Sequence, residues 1–149
     1  MWVSTKAQYG MRALVEVALG GDEPTSLKTV AERQLLSQQY LEQIFAVLRK
    51  AGVVESVRGA RGGYRLARPR DESDALEVVE LLEGSVAPVS CIEDAANCVR
   101  VGMCSTESLW RRVDAAVRQV LRSTSLADLV RQRRLLGIHP LPQYLGRDD

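Results

Sequence analysis

The sequence predicts a mostly α-helical fold with a small β-hairpin wing, on three observations. Three amphipathic patterns run in succession over residues 7–51, two β-patterned stretches follow around a basic, glycine-rich tip, and a longer apolar stripe stands beyond residue 104. Three helices and then a basic hairpin is the order of a winged helix-turn-helix, here followed by a long helix.

Each element has a local cause. Ala7, Met11, Leu14, Val15 and Ala18 recur at three- and four-residue steps, which places them on one face of a helix over residues 7–19. Gly20-Gly21-Asp22-Glu23-Pro24 breaks that helix, and Thr25 or Ser26 caps a short second one that turns Leu27, Val30 and Ala31 inward. A turn at Gln34-Leu35-Leu36 leads to Ser37, the cap of a third helix that buries Leu41, Ile44, Phe45 and Leu48. Gly52 ends it where a positive φ is needed. Residues 53–57 and 64–66 read as strands around the tip Arg58-Gly59-Ala60-Arg61-Gly62-Gly63, and Pro69 closes the unit. An acidic helix over residues 75–83 aligns Ala75, Val78, Val79 and Leu82 and stops at Gly84. Residues 85–104 show no period and read as a loop. From about Ser105 to Arg122, Leu109, Val113, Ala116, Val117, Val120 and Leu121 form a stripe wide enough for a core or a dimer seam. Ser125-Leu126-Ala127-Asp128 resembles a capping box opening a last helix through Leu136. The chain thus divides into a winged-helix domain (1–70), a segment with the acidic helix, cysteine loop and long helix (71–136), and a tail (137–149) expected to be loosely ordered.

At 149 residues and 46% hydrophobic content the chain can fill one core. No apolar run approaches the roughly 20 residues that cross a bilayer, and the N-terminus lacks a signal-peptide pattern. A cytoplasmic protein without a membrane partner is expected. The formal net charge of +1 hides an asymmetry. Residues 1–70 hold 11 Lys/Arg against 6 Asp/Glu, net +5, and residues 71–149 hold 9 against 13, net −4. Only the first part is suited to a polyanion.

A recognition helix reads bases with the side chains of its N-terminal turns. Here these are Ser37, Gln38, Gln39 and Tyr40, with Glu42 and Gln43 behind them. Glutamine bonds adenine in bidentate fashion and glutamate accepts from cytosine N4. Arg49 and Lys50 at the far end suit phosphates, and Arg58 and Arg61 in the wing suit phosphate or the minor groove. A merely solvated polar face explains any one of these features; helix order, basic hairpin and charge asymmetry together favour double-stranded DNA.

Cys91, Cys98 and Cys104 fall in one 14-residue window, spaced Cys-x6-Cys-x5-Cys. An odd number of cysteines argues against a disulfide framework. Thiolates are soft ligands, and these spacings are looser than a zinc knuckle, so they suit a loop around an iron–sulfur cluster. A cluster takes four ligands; Glu107, three residues past Cys104, can supply an oxygen. Inert packing and metal-free thiol sensing remain alternatives. The single histidine, His139, lies in the tail, so no Cys–His nucleophile pair is visible and neither an enzyme nor a small-molecule substrate is expected. An interaction or cluster-delivery module is the alternative from another class.

Several segments together resemble the IscR/NsrR group of iron–sulfur regulators over about residues 2–136. They are Ser4-Thr5-Lys6-Ala7-Gln8-Tyr9, Tyr40-Leu41-Glu42-Gln43-Ile44-Phe45, Leu48-Arg49-Lys50-Ala51-Gly52, the wing Val57–Tyr64, and the three-cysteine loop running into Leu109-Trp110. The resemblance implies a homodimer with a winged helix in each subunit, a long dimerisation helix after the cysteine loop, and operator binding, as a repressor, governed by cluster state. A 2Fe–2S cluster is favoured over 4Fe–4S. Two departures stand out. IscR-like members carry histidine where this chain has Glu107. Relatives that complete the cluster with a carboxylate from the partner's first helix have it where this chain has Gln8. Glu107 is therefore the expected fourth ligand.

Overall fold

Side-chain caps set most helix boundaries in the computed structural model, which describes residues 3–137. Ser4, Ser26, Ser37 and Asp74 each accept the backbone N–H three residues on, opening α1 (Thr5–Leu19), α2 (Leu27–Gln34), α3 (Gln38–Lys50) and α4 (Ala75–Glu83). Of the two residues expected to cap α2, Ser26 does so. Ser125 and Asp128 close a reciprocal capping box on α7 (Leu126–Leu136). Gly52 and Gly84 take φ of 77° and 89° just past α3 and α4, as the sequence requires. Between α4 and the long α6 (Glu107–Arg122) the expected loop also contains α5 (Ser90–Glu93) and a 3-10 turn (Ala95–Asn97), both too short to show a period. The tail and His139 lie outside the described residues.

The core is built on α1 and α3. Leu14, Leu41, Ile44, Phe45 and Leu48 are fully enclosed, joined by Val53 and Val54 from the wing, Val78 and Leu82 from α4 and Leu126 from α7. One hydrophobic core therefore runs across residue 70. A smaller cluster, Leu76, Val79 and Val86, meets Met11 and Leu121, which seats the C-terminal end of α6 on α4. Arg118 holds that seat with Glu80 at 2.6 Å and Asp114 at 3.0 Å. Strikingly amphipathic in sequence, α6 nevertheless buries no residue fully: Leu109 is 46% and Val120 64% exposed.

The wing is the antiparallel pair β1 (Val54–Val57) and β2 (Gly63–Leu66), with Glu55 opposite Arg65 and Ser56 opposite Tyr64. Thr25 adds a third strand position by exchanging two 2.8 Å backbone hydrogen bonds with Tyr64. Gly63 makes this possible. Its φ is 155°, and a Cβ there would lie 2.3 Å from the Thr25 carbonyl oxygen and 2.6 Å from the Ser26 nitrogen. Neither backbone atom can move without parting the wing from α2. Gly63→Ala is expected to cost about 2–3 kcal/mol, read by urea unfolding. A loss below about 0.5 kcal/mol, the range of ordinary surface changes, would show that the wing does not depend on this contact.

Candidate nucleic-acid interface and cysteine loop

The apolar face of α3 is locked into the core, which turns its polar face outward. Gln38, Gln39, Glu42, Gln43, Arg49 and Lys50 are all exposed. Ser37 is exposed too, and its hydroxyl oxygen already accepts the Tyr40 N–H at 3.3 Å. Tyr40 differs from the others: half-buried, its ring meets Tyr9 edge-on at 6.4 Å and fixes the start of α3 against α1. The wing root is tied to the same helix, since the Phe45 and Tyr64 rings lie 5.1 Å apart. Helix α3 and the hairpin are thereby packed against one another.

Charge at this surface is available rather than spent. Among the described residues none forms an ion pair with Arg49, Lys50, Arg58 or Arg61. Arg65, by contrast, bonds Glu55 across the wing at 2.6 Å. Arg58 and Arg61 stand exposed at the tip, where Gly59 has φ of 114° and Gly62 comes so close to Val57 that a Cβ would sit 2.2 Å from its carbonyl oxygen. Such a tip lets backbone approach a phosphate.

The cysteines lie in the segment between α4 and α6. Cys91 is in α5, Cys98 follows the 3-10 turn, and Cys104 precedes α6; all three are free thiols and half-buried. The Cys98 sulfur accepts the Arg100 N–H at 3.4 Å. Cys104 lies 3.3 Å from the Thr106 hydroxyl. That hydroxyl, aided by backbone N–H groups of Thr106 and Glu107, holds the Cys104 thiol below its ordinary value. Glu107 is engaged elsewhere: its carboxylate accepts the Gly102 N–H at 3.0 Å and both Arg111 contacts at 2.7 and 2.9 Å. The Gly102 bond first, then Arg111, keeps this carboxyl below the usual carboxylate range. Among the described residues no three His, Cys, Asp or Glu side chains converge as metal ligands. Gln8, on α1, donates its amide to the Val3 carbonyl at 2.9 Å.

The family model described as "Rrf2: Iron-dependent Transcriptional regulator" matches residues 3–132. The chain belongs to the Rrf2 family. This Rrf2 protein is similar to the HTH-type transcriptional regulator CymR of Bacillus subtilis, 43% identical over 130 residues that cover 87% of this chain and 89% of the relative. It resembles the solved structure of T. potens IscR at 40% identity and a TM-score of 0.75, covering 93% of both chains. It also resembles the oxidized form of Staphylococcus aureus CymR at 38% identity and a TM-score of 0.72, covering 87% of this chain and 96% of that one. The Rrf2 chain is therefore a transcriptional regulator, not an enzyme, and its winged helix is a DNA-binding element. No described helix is long and apolar enough to cross a membrane.

Two features of this Rrf2 chain escape its sequence pattern. Glu16 lies outside the apolar stripe expected on α1, yet it is 1% exposed and ringed by Gln34, Arg33 and Arg133. Leu35 reads as one residue of a turn, yet it carries the single positive φ of a non-glycine among the described residues, 53°. The pattern Gln34-Leu35-Leu36, a break between two amphipathic runs, was the available signal for the second; the first has none in local sequence.

Proposed function

We propose that this regulator binds operator DNA as a homodimeric repressor whose cysteine loop holds an iron–sulfur cluster. In this reading residues 1–70 grip DNA, and residues 71–136 sense and dimerise. The observation that carries the DNA part is an exposed polar α3 face packed beside a wing whose tip arginines, Arg58 and Arg61, are unpaired. Gln38, Gln39, Glu42 and Gln43 then face base edges, Ser37 and Tyr40 set the start of the helix and touch the backbone, and Arg49, Lys50, Arg58 and Arg61 meet phosphates.

The donor chemistry supports the cluster: three thiols on one loop, without a disulfide among them, in a family described as iron-dependent. Cys91, Cys98 and Cys104 would hold it, with Glu107 as fourth ligand, and a bound cluster, 2Fe–2S in preference to 4Fe–4S, supplies one-electron redox chemistry. Gly102 occupies one oxygen of Glu107 and Arg111 the other, so ligation through either oxygen would compete with one of these bonds.

A second reading has a specific observation behind it. The thiols do not converge here, and one of the structures this chain resembles is an oxidized form of a regulator. Thiol oxidation without metal is that alternative. The deciding experiment is the absorption spectrum, with iron and sulfide content, of protein purified under strict anaerobiosis, followed by operator binding before and after cluster removal. Visible charge-transfer bands, stoichiometric iron and sulfide, loss of all three in Cys98→Ala, and a change in operator affinity on removal are the expected results. Colourless protein that resists reconstitution but changes operator affinity with a thiol oxidant would replace the cluster with the thiol reading.

A further inference from the structure

The turn between α2 and α3 is strained and has a set of bonds arranged around it. Leu35, the residue after α2, has φ of 53° and ψ of 49°, a left-handed conformation that bulky L residues adopt only at a cost. Only Leu36 and Ser37 separate it from α3, so the backbone angles of these three residues set the direction of the recognition helix. Contacts from outside the turn must hold them.

Arg12, an exposed residue of α1, meets both sides of the turn. On the α2 side its guanidinium donates to Gln34 twice, from Nε to the side-chain Oε1 and from Nη2 to the backbone carbonyl, each at 3.0 Å. The second bond satisfies a carbonyl at the end of α2, where a helix has no intrahelical donors left, and its charge suits the negative end of the helix dipole. Gln34 is itself held, because its Nε2 donates to the buried Glu16 at 2.8 Å. On the α3 side the guanidinium lies over the Tyr9 ring, 5.4 Å from its centroid, and that ring meets Tyr40 edge-on in the first turn of α3. One side chain thus ties the end of α2 and, through Tyr9, the start of α3 to the same point on α1.

Such a tie bears on base reading more than on phosphate attraction. Bidentate bonds from glutamine to a base edge need placement within about 0.5 Å and 10–20°. Phosphate contacts carry no sequence information and dominate non-specific affinity. We propose that Arg12 is a specificity-determining positioning residue: without touching DNA, it fixes the angle at which α3 presents Gln38, Gln39, Glu42 and Gln43 to the bases. This rests on the operator-binding reading above. Removing Arg12 leaves the apolar face of α3 in the core but frees Leu35 to relax, and a rotation of about 10–20° at the turn misplaces those side chains.

The test uses the full chain and a duplex that the wild-type protein selects from a random pool, beside an unselected duplex of equal length, both titrated over a salt series. Arg12→Met is expected to lower the ratio of the two affinities at least about tenfold, within the range lost when one bidentate base contact is spoiled. The loss should fall on the selected duplex alone. Affinity for the unselected duplex, the salt slope, the oligomeric state in sedimentation and the urea midpoint should stay at wild-type values. Arg12→Lys keeps the charge but cannot fork onto both Gln34 acceptors, so it is expected to lower the ratio as well, and it decides the matter should Arg12→Met unfold. Gln34→Met should also lower the ratio, and combining it with Arg12→Met should lower it no further than Arg12→Met alone, because the two act through one contact.

An unchanged ratio in both Arg12 variants overturns the proposal. So does an equal loss on both duplexes with the salt slope reduced by about one, which marks a phosphate contact instead. A fall in the ratio that accompanies loss of the wild-type oligomeric state, or additive losses for Arg12 and Gln34, overturns it too. A wild-type protein that selects no duplex overturns the operator reading itself, and this inference with it.

Discussion

Glu16→Ala is expected to cost about 3 kcal/mol of folding stability, the lower end of what breaking a buried ion pair removes. The carboxylate is 1% exposed and ties three helices: its Oε1 accepts from Gln34 at 2.8 Å and from Arg133 at 3.0 Å, and Arg33 stands 3.7 Å from Oε2. Taking Glu16 away leaves Arg133 and the Gln34 amide without their acceptor. The lower figure follows because the Arg133 side chain is 28% exposed and the Arg33 side chain 56%, so water reclaims part of both charges. Arg133→Ala is expected to cost at least as much, since it strands an ionised carboxylate in the interior beside the more distant Arg33. Glu16→Gln, which keeps an acceptor for Arg133 but not the charge, should cost about 1–2 kcal/mol. The discriminating variant is the double substitution Glu16→Leu with Arg133→Leu. If buried charge is the issue, it recovers most of the loss, because apolar groups of similar volume replace such pairs at little cost. Urea unfolding at fixed protein concentration measures all four. A loss below about 0.5 kcal/mol for Glu16→Ala, the level of an ordinary surface substitution, would mean that water reaches this site and that α7 is not held by it.

This residue also marks the limit of what could be read from the chain. Caps and stops were legible because their causes are local: Ser37 lies three residues from the N–H it accepts, and Gly52 and Gly84 need only their own φ. The apolar face of α3 was legible because periodicity reports one-sided burial; the stripe expected on α1 was only partly right, since Ala13 and Val17 are buried outside it while Met11 and Val15 stay half-buried. Glu16 was not legible, because its partner Arg133 is 117 residues away and only the packing of α7 on α1 brings them together. Leu76 was missed for a related reason: α4 is covered on two sides, by α1 and by α6, so its burial departs from a single stripe. At the candidate site, residue types and spacing identified the cysteines and the α3 face, whereas the bonds from Glu107 to Gly102 and Arg111 depend on how the loop folds back on α6. The stripe on α6 was read as either core or seam. It divides between them: Leu121 packs on α4, while Leu109 and Val120 stay open.

Those open residues carry the second large effect. Val120→Asp is expected to dissociate the homodimer and to lower operator affinity by about a hundredfold to ten-thousandfold, the range lost when two linked binding modules act singly. The subunit itself should keep its fold, because Val120 is 64% exposed and contributes nothing to either core cluster. Sedimentation and far-ultraviolet dichroism separate these outcomes, and operator titration at one fixed salt concentration reads the affinity. The repair is more telling than the damage. Adding Leu109→Lys to Val120→Asp places opposite charges face to face only if the α6 helices run antiparallel, since position 109 then meets position 120 of the second copy. In a parallel pair each substituted position meets its own equivalent, and like charges repel at both ends of the seam. Recovery of dimerisation by at least about tenfold over Val120→Asp alone, worth about 1.4 kcal/mol, therefore fixes the direction of the helices. A double variant no better than the single one would point to parallel helices. A Val120→Asp protein that remains a dimer would move the seam off α6 altogether.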